Sequence, residues 1–430
     1  MVVQPAGGDR QAEFMKIAIL HYSVSPVVGG VEAVILAHTR LLLNAGYAVK
    51  IIAGAGEQSA LPKGAEFTRI PEMDSLNPSV VEASQQLEAG LVPADFEKLT
   101  NRLENRISPE LEDVDTVIIH NILTKHFNLP LSVALVRLLD VGKIKHCLAW
   151  CHDSSWTSSH SRSKIHPGYP WELLRTFRED VYYVTVSQQR QAELANLYQC
   201  PSERIHVIYN GVDPTEIYSL TKQGRQLVDR LRLGEANLIF LMPVRITQAK
   251  NIEFALQVIS RLKRGGMRPK LIITGPPDPH DPADMQYYQS LLDLRQLLQV
   301  EEEARFIYES GPEKEEGYTI DSGEVMGLFR LCDAVFMPSH REGFGMPILE
   351  AGLLGKPIFT THIPAAEEIG GGEVIIFSPD DPVENVIDMI LTWANSSPTY
   401  LLKKRVREHF TWQAIFQNDI LPLLQPKEAE

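Results

Sequence analysis

Almost the whole chain consists of short apolar runs alternating with longer amphipathic patterns, and few folds can use such a sequence. KIAILHYS (16–23) predicts a buried strand, VEAVILAHTRLLLNAG (31–46) an amphipathic helix ending at a glycine, and YAVKIIAGAG (47–56) a second strand. DTVIIH (115–120), KHCLAWCH (145–152), YYVTVS (182–187) and IHVIYNG (205–211) continue the series. Strands buried on both faces read as continuous apolar runs, and parallel neighbours need helical crossovers, so the pattern predicts parallel sheets wrapped by helices. The pattern then restarts. NLIFLMPVRI (237–246) predicts a strand and NIEFALQVISRLKRGG (251–266) a helix closed by glycines. Further strands are expected at 270–275, 304–310, 334–339, 356–361 and 373–378. The polar stretch 213–235 is poor in strand signal and is read as a linker. The fold class expected is α/β, with two tandem doubly wound, Rossmann-like domains at 15–212 and 236–407. Segments 57–110 and 276–303 read as long non-strand insertions, the first either a substrate-shaping lid or packing helices.

With 430 residues, two or three domains are expected. The formal net charge of −14 argues against non-specific nucleic-acid binding and against broad adhesion to anionic lipid, though it leaves room for a small basic phosphate pocket. No apolar run reaches the roughly 18 residues of a spanning helix. A local basic stretch, SRSKIHPG (161–168), keeps peripheral contact with a membrane or an anionic substrate open. Four cysteines, with Cys147 and Cys151 spaced C-x3-C but no second pair, fit buried thiols in a reducing cytoplasm better than a metal site. Residues 1–14 lack an apolar core and are expected to be a disordered leader.

The sharpest chemical signal is HREGFGMPILEAGLLGKP (340–357). It follows an expected strand end, where open α/β sheets bind ligands. Pro347 suits a first helical turn and Gly355 the end of that helix. Gly343, Phe344 and Gly345 would then precede a helix N-terminus, where free amides and the helix dipole attract anions. Glu342 and Glu350 flank that turn, and carboxylates accept hydrogen bonds from sugar hydroxyls. A ligand with hydroxyls at both ends and phosphate between them, a nucleotide sugar, satisfies all of these groups; a capping role for Glu350 and a solvated Glu342 is the plain alternative.

Four weaker motifs accompany it. Gly29 and Gly30 open the first helix after the first strand and fit either an anion turn or an ordinary βα turn, without a G-x-G-x-x-G fingerprint. Arg245 and Lys250, in PVRITQAKN (243–251), occupy the matching turn of the second domain and could neutralise a leaving diphosphate, or be solvated. His152, in WCHDSSW (150–156), ends a first-domain strand and fits either a sugar contact or a structural role. Trp150 and Trp156 fit a core or a sugar-stacking surface. Asn210-Gly211 signals a tight turn, read as a hinge.

In this order and spacing the five stretches resemble the family 4 (group 1) retaining glycosyltransferases of the GT-B fold, across nearly all of the chain after Met15. The resemblance implies two Rossmann-like domains facing a central cleft. It also implies that HFTWQAIFQNDILPLL (409–424), within 408–430, forms a terminal helix crossing back to the first domain. By the same resemblance Glu342, helped by the Gly343–Gly345 amides, contacts donor-sugar hydroxyls, and Glu350 holds the ribose. Arg245, Lys250 and Gly29-Gly30 hold the diphosphate, and His152 contacts the transferred sugar. No metal is implied and no cofactor beyond the nucleoside-diphosphate sugar itself, which would be passed to a small-molecule or glycan hydroxyl. Val244, Asn251 and the insertion 275–289 depart from the family pattern, leaving the base open. A nucleotide-sugar 2-epimerase and a non-catalytic nucleotide-sugar-binding protein are the alternatives. Donor identity, acceptor and oligomeric state are not legible.

Overall fold

The computed structural model describes residues 15–278, 282–313 and 317–424; the leader expected at 1–14 and the last residues of the expected terminal helix lie outside them. Contacts divide the chain into two compact units, Met1–Gly211 with Trp412–Glu430, and Val212–Thr411.

The first unit is built on a seven-stranded sheet. Its strands are β1 (Lys16–Ser23), β2 (Ala48–Ala55), β3 (Glu66–Arg69), β4 (Thr116–His120), β5 (Cys147–Cys151), β6 (Val181–Thr185) and β7 (Ile205–Val207), in the order β3-β2-β1-β4-β5-β6-β7. Every pairing is parallel. The central strands are buried on both faces, as their apolar runs require: β4 and β5 are buried at every position. One face carries Ile17, Ile19, Ile51, Ile118, Leu148 and Trp150. The other carries Leu20, Ile52, Val117 and Ala149, packed on helices Phe96–Ile107 and Leu129–Asp140.

The second unit repeats the plan with six strands: β8 (Leu238–Met242), β9 (Pro269–Ile273), β10 (Ala304–Phe306), β11 (Ala334–Met337), β12 (Ile358–Thr361) and β13 (Ile375–Phe377). Their order is β10-β9-β8-β11-β12-β13, again all parallel. Both sheets wind outward from a central strand, so each has one point where the chain reverses direction across the sheet. That point is the gap between the ends of β1 and β4 in one unit and of β8 and β11 in the other, the crevice where ligands bind in such sheets. Two tandem doubly wound units are what the GT-B resemblance predicts.

Some segments differ from the sequence reading. Residues 57–110 are not free of strand: β3 lies there, pairing with β2 from Lys50 to Ala53. Its four residues, EFTR, are partly exposed at a sheet edge and carry no apolar run to betray them. Most of the rest of that segment is helical, with Met73, Val80, Leu99, Leu103 and Ile107 in the core. Residues 276–303 contribute helix Pro282–Leu298. The stretch 213–235, read as a linker, folds as helices Pro214–Ile217 and Lys222–Arg230, and places Leu220, Leu227, Leu231 and Leu233 in the core of the second unit. Its polar residues lie on one side only, which a reading by composition misses. The chain re-enters the first unit at Trp412, and Ile415, Phe416, Ile420 and Leu424 complete the cluster around Ile17 and Trp150. Within the described residues no helix is long and apolar enough to cross a membrane.

Candidate active site

In the second unit, the loops after β8, β9 and β11 form the site. After β8 the chain runs through Arg245 into a single turn, Gln248–Lys250, and helix Ile252–Arg264. Asn251 joins them at φ +50°, a left-handed conformation that glycine and asparagine tolerate best. The loops after β8 and β9 are zipped together: Gly275 N–H donates to the Val244 carbonyl at 3.0 Å and Ile246 N–H to that of Pro276 at 3.1 Å. A Cβ on residue 275 would stand 2.4 Å from the Val244 oxygen and 2.7 Å from Arg245 Cα, so only glycine permits this approach.

Lys250 and Glu342 meet at the reversal point, brought from 92 residues apart. Lys250 Nζ lies 2.7 Å from Glu342 Oε2, and both side chains are largely buried. The second carboxylate oxygen of Glu342 accepts the Ser339 hydroxyl at 2.6 Å, and the Ser339 carbonyl in turn accepts the Thr361 hydroxyl of β12. The His340 amide donates to the Ala249 carbonyl at 2.9 Å, tying the two loops together. Glu342 is thus a fixed acceptor beside a fixed ammonium.

Beyond it the chain turns through Gly343 and Phe344 into helix Met346–Leu353. Gly345 caps that helix at φ +85°, a backbone conformation that residues with side chains rarely adopt, and an added Cβ would stand a tight 3.1 Å from Ala365 and Ile348. No side chain caps this N-terminus, and among the described residues the amides of Gly343, Phe344 and Gly345 donate to no protein group. Phe344 is exposed. Glu350, one turn into the helix and half-buried, has no side-chain partner among the described residues; it does not cap the helix, as the plain alternative would have it. Arg245 is mostly exposed, with its guanidinium 3.4 Å from Asp278.

In the first unit, His152 follows β5. Its amide donates to Asn121 Oδ1 at 2.9 Å, and Asn121, at φ +60° after β4, is itself held by its amide on the Trp150 carbonyl. His152 is one of four clustered histidines. His120, the last residue of β4, faces it at 3.1 Å, and the His21 ring lies 3.0 Å from the His120 carbonyl. His38 packs its ring against those of His120 and Trp150. Burial first, and then neighbouring histidines, favours the neutral rings of three of them: His152 falls to about 4 and His38 to about 3, and His120 also falls; His21 falls by burial alone, against the His120 carbonyl and Glu32. Trp150 is core, stacked on His120, while Trp156 stacks under the Arg175 guanidinium at 4.1 Å.

The Gly29-Gly30 turn opens helix Gly30–Asn44 with no side-chain cap. It already has an anion beside it. Glu32 lies in the first turn, accepts the Ser23 hydroxyl at 2.6 Å, and sets its carboxylate where a Gly29 Cβ would be. Gly30 faces open space. Gly211 packs directly against Trp412, whose backbone nitrogen would stand 2.7 Å from an added Cβ.

Sequence reading did not find Ser339, Glu32, Asp278 or His120. The last had a visible signal, since DTVIIH and KHCLAWCH both end in histidine, and their strands pair with His120 opposite Trp150, two residues before His152.

A model described as glycosyltransferase family 4 matches residues 28–216, and one described as glycosyl transferases group 1 matches 226–401, one for each unit. The chain belongs to the group 1 (family 4) glycosyltransferases. Among curated relatives, it is similar to a glycogen synthase of Mycobacterium tuberculosis, at 26% identity over 74% of this chain and 70% of that protein. It is also similar to the mannosylglucosylglycerate synthase of Petrotoga mobilis, at 21% identity over 81% and 83% of the two chains. Among solved structures, Anabaena HepE in complex with UDP-glucose aligns over 95% of this chain and 99% of its own, at 17% identity with a TM-score of 0.34. In this glycosyltransferase Lys250 and Glu342 are in direct contact, whereas Arg245 turns towards Asp278.

Proposed function

We propose that this glycosyltransferase takes a sugar from a nucleoside-diphosphate sugar and joins it, with retained configuration and without a bound metal, to a hydroxyl acceptor. The observation that carries the reading is the Lys250–Glu342 pair beside an uncapped helix N-terminus, at the reversal point of the second sheet. Lys250 presents positive charge, and the Gly343–Gly345 amides present donors with no protein partner. Together they suit an anion that gains charge as the glycosidic bond breaks. Arg245, exposed and only loosely paired with Asp278, adds a second cation once a diphosphate competes for it. Glu342 then accepts from donor-sugar hydroxyls, and the unpartnered Glu350 from the ribose. Phe344 flanks the donor. In the first unit, neutral His152 offers a hydrogen bond to the transferred sugar. Gly30, rather than Gly29 with its Glu32 neighbour, is the part of that turn left for phosphate.

With no carboxylate assigned as a nucleophile, the leaving phosphate takes the acceptor proton as the new bond forms on the face the diphosphate leaves. The enzyme's work is then chiefly to stabilise that leaving charge. The test screens nucleotide sugars by thermal shift, then measures turnover with the donor found, scoring product configuration by NMR. Lys250→Ala and Arg245→Ala are expected to lower turnover at saturating donor by ~10²–10³-fold. Wild-type turnover in both variants refutes the assignment. Epimerised donor without acceptor would identify the 2-epimerase chemistry instead.

A further inference from the structure

His120 closes β4 and His152 directly follows the neighbouring parallel strand β5, and their rings stack at 21° with centroids 5.4 Å apart. His120 Nδ1 stands 3.1 Å from His152 Nε2. Both rings are buried and neutral, so one hydrogen lies between these two nitrogens, and the surroundings decide whose it is. His120 Nε2 is sealed in the interior without a partner among the described residues. Were that nitrogen protonated, a buried N–H would be orphaned, which is rarer in folded proteins than an orphaned acceptor. A lone pair there puts the His120 hydrogen on Nδ1, aimed at His152. The ring has no freedom to choose otherwise. His38 packs on it at 5.6 Å and Trp150 stacks on it at 5.8 Å between centroids. Its carbonyl accepts the His21 Nδ1–H.

We propose that His120 is a positioning residue: its Nδ1–H donates to Nε2 of His152 and holds His152 as the Nδ1–H tautomer, whose remaining N–H is the donor offered to the reacting sugar. His152 Nδ1 has no partner among the described residues and is not sealed from solvent. Which imidazole nitrogen carries the proton is set by the bond the other one makes. Without His120 the ring would be free to take the other tautomer and to rotate, turning a lone pair where a donor is needed. The functional half of this inference rests on the reading that His152 meets the transferred sugar; the tautomer does not.

Two measurements test it separately. Long-range proton–nitrogen NMR of the full-length protein with labelled histidines, assigned through His152→Asn, should show His152 Nδ1 protonated and Nε2 bare. The opposite pattern overturns the proposal, whether or not any donor is turned over. The second arm is kinetic. His120→Leu should lower kcat by ~10–100-fold with little change in donor KM, the scale seen when a partner orienting a functional histidine is lost. His120→Asn, whose amide reaches the place of Nδ1 and can donate, should recover most of it. In a His152→Ala background His120→Leu should have no further effect. Equal losses in the leucine and asparagine variants, or an undiminished loss in the His152→Ala background, overturn the proposal. If no nucleotide sugar is turned over by the wild type, the glycosyl-transfer reading fails while the NMR result still decides the tautomer.

Discussion

His38 should make this protein acid-sensitive, and replacing it with leucine should remove much of that sensitivity. The ring lies on helix Gly30–Asn44, is 1% exposed, and has no partner for either nitrogen among the described residues. Burial, helped by repulsion from His152, holds its folded pKa at about 3, against ~6.5 in an unfolded chain. The folded pKa is the lower, so unfolding takes up a proton once pH drops below ~6.5. Stability falls by ~1.4 kcal/mol per pH unit from there until the folded ring titrates near 3. From pH 7 to pH 5 that is about 2 kcal/mol from one side chain, a large share of a typical 5–15 kcal/mol. In His38→Leu the group is gone. At pH 7 two effects oppose each other. The variant loses ring contacts with Trp150 and Trp412, worth ~0.5–1.5 kcal/mol each, and is relieved of two unpartnered buried polar atoms, worth ~1–3 kcal/mol. The neutral-pH change is therefore small. Urea unfolding followed by circular dichroism should show the variant gaining about 2 kcal/mol on the wild type between pH 7 and pH 5. Parallel pH dependences for the two proteins would refute the buried, neutral assignment.

The remaining predictions concern the second unit. Glu350→Gln removes a carboxylate that no side chain or backbone group among the described residues uses. Calorimetry should show donor binding weakened by ~10–100-fold, the loss of a charged hydrogen bond worth ~1.5–3 kcal/mol, with the melting temperature unchanged; unaltered affinity would remove Glu350 from the donor site. Gly275→Ala drives a methyl into the Val244 carbonyl, so the zipped loops must part. It should cost ~1–3 kcal/mol in denaturant unfolding and lower turnover by misplacing Arg245, whereas a variant as stable and active as wild type would show the loops free to move.

Much of the fold was legible because its signals are local. All strands but β3 fall on the expected runs, β6 and β9 starting one residue earlier, since a strand buried on both faces cannot avoid being apolar. β3 was missed because an edge strand needs no such run. The 213–235 stretch was misread because its four core leucines are spaced among charges, and only packing shows which side they face. Within the site, the glycine turn and its two glutamates were legible because a helix start, a proline and a left-handed glycine are local devices. The turn of Arg245 towards Asp278 and the carboxylate beside Gly29 were not, because side-chain direction on a loop depends on neighbours the sequence does not name.

By itself the sequence determined that this chain makes two parallel sheets with helical crossovers, and which residue types stand at the strand ends. Those are consequences of period, burial and turn chemistry within a few residues. Only the tertiary structure decided that β8 lies beside β11 and β1 beside β4. Strand order is what puts Lys250 on Glu342 and His120 on His152. Contacts between distant segments are fixed by how whole faces pack, and the hydrophobic effect that packs them is non-directional.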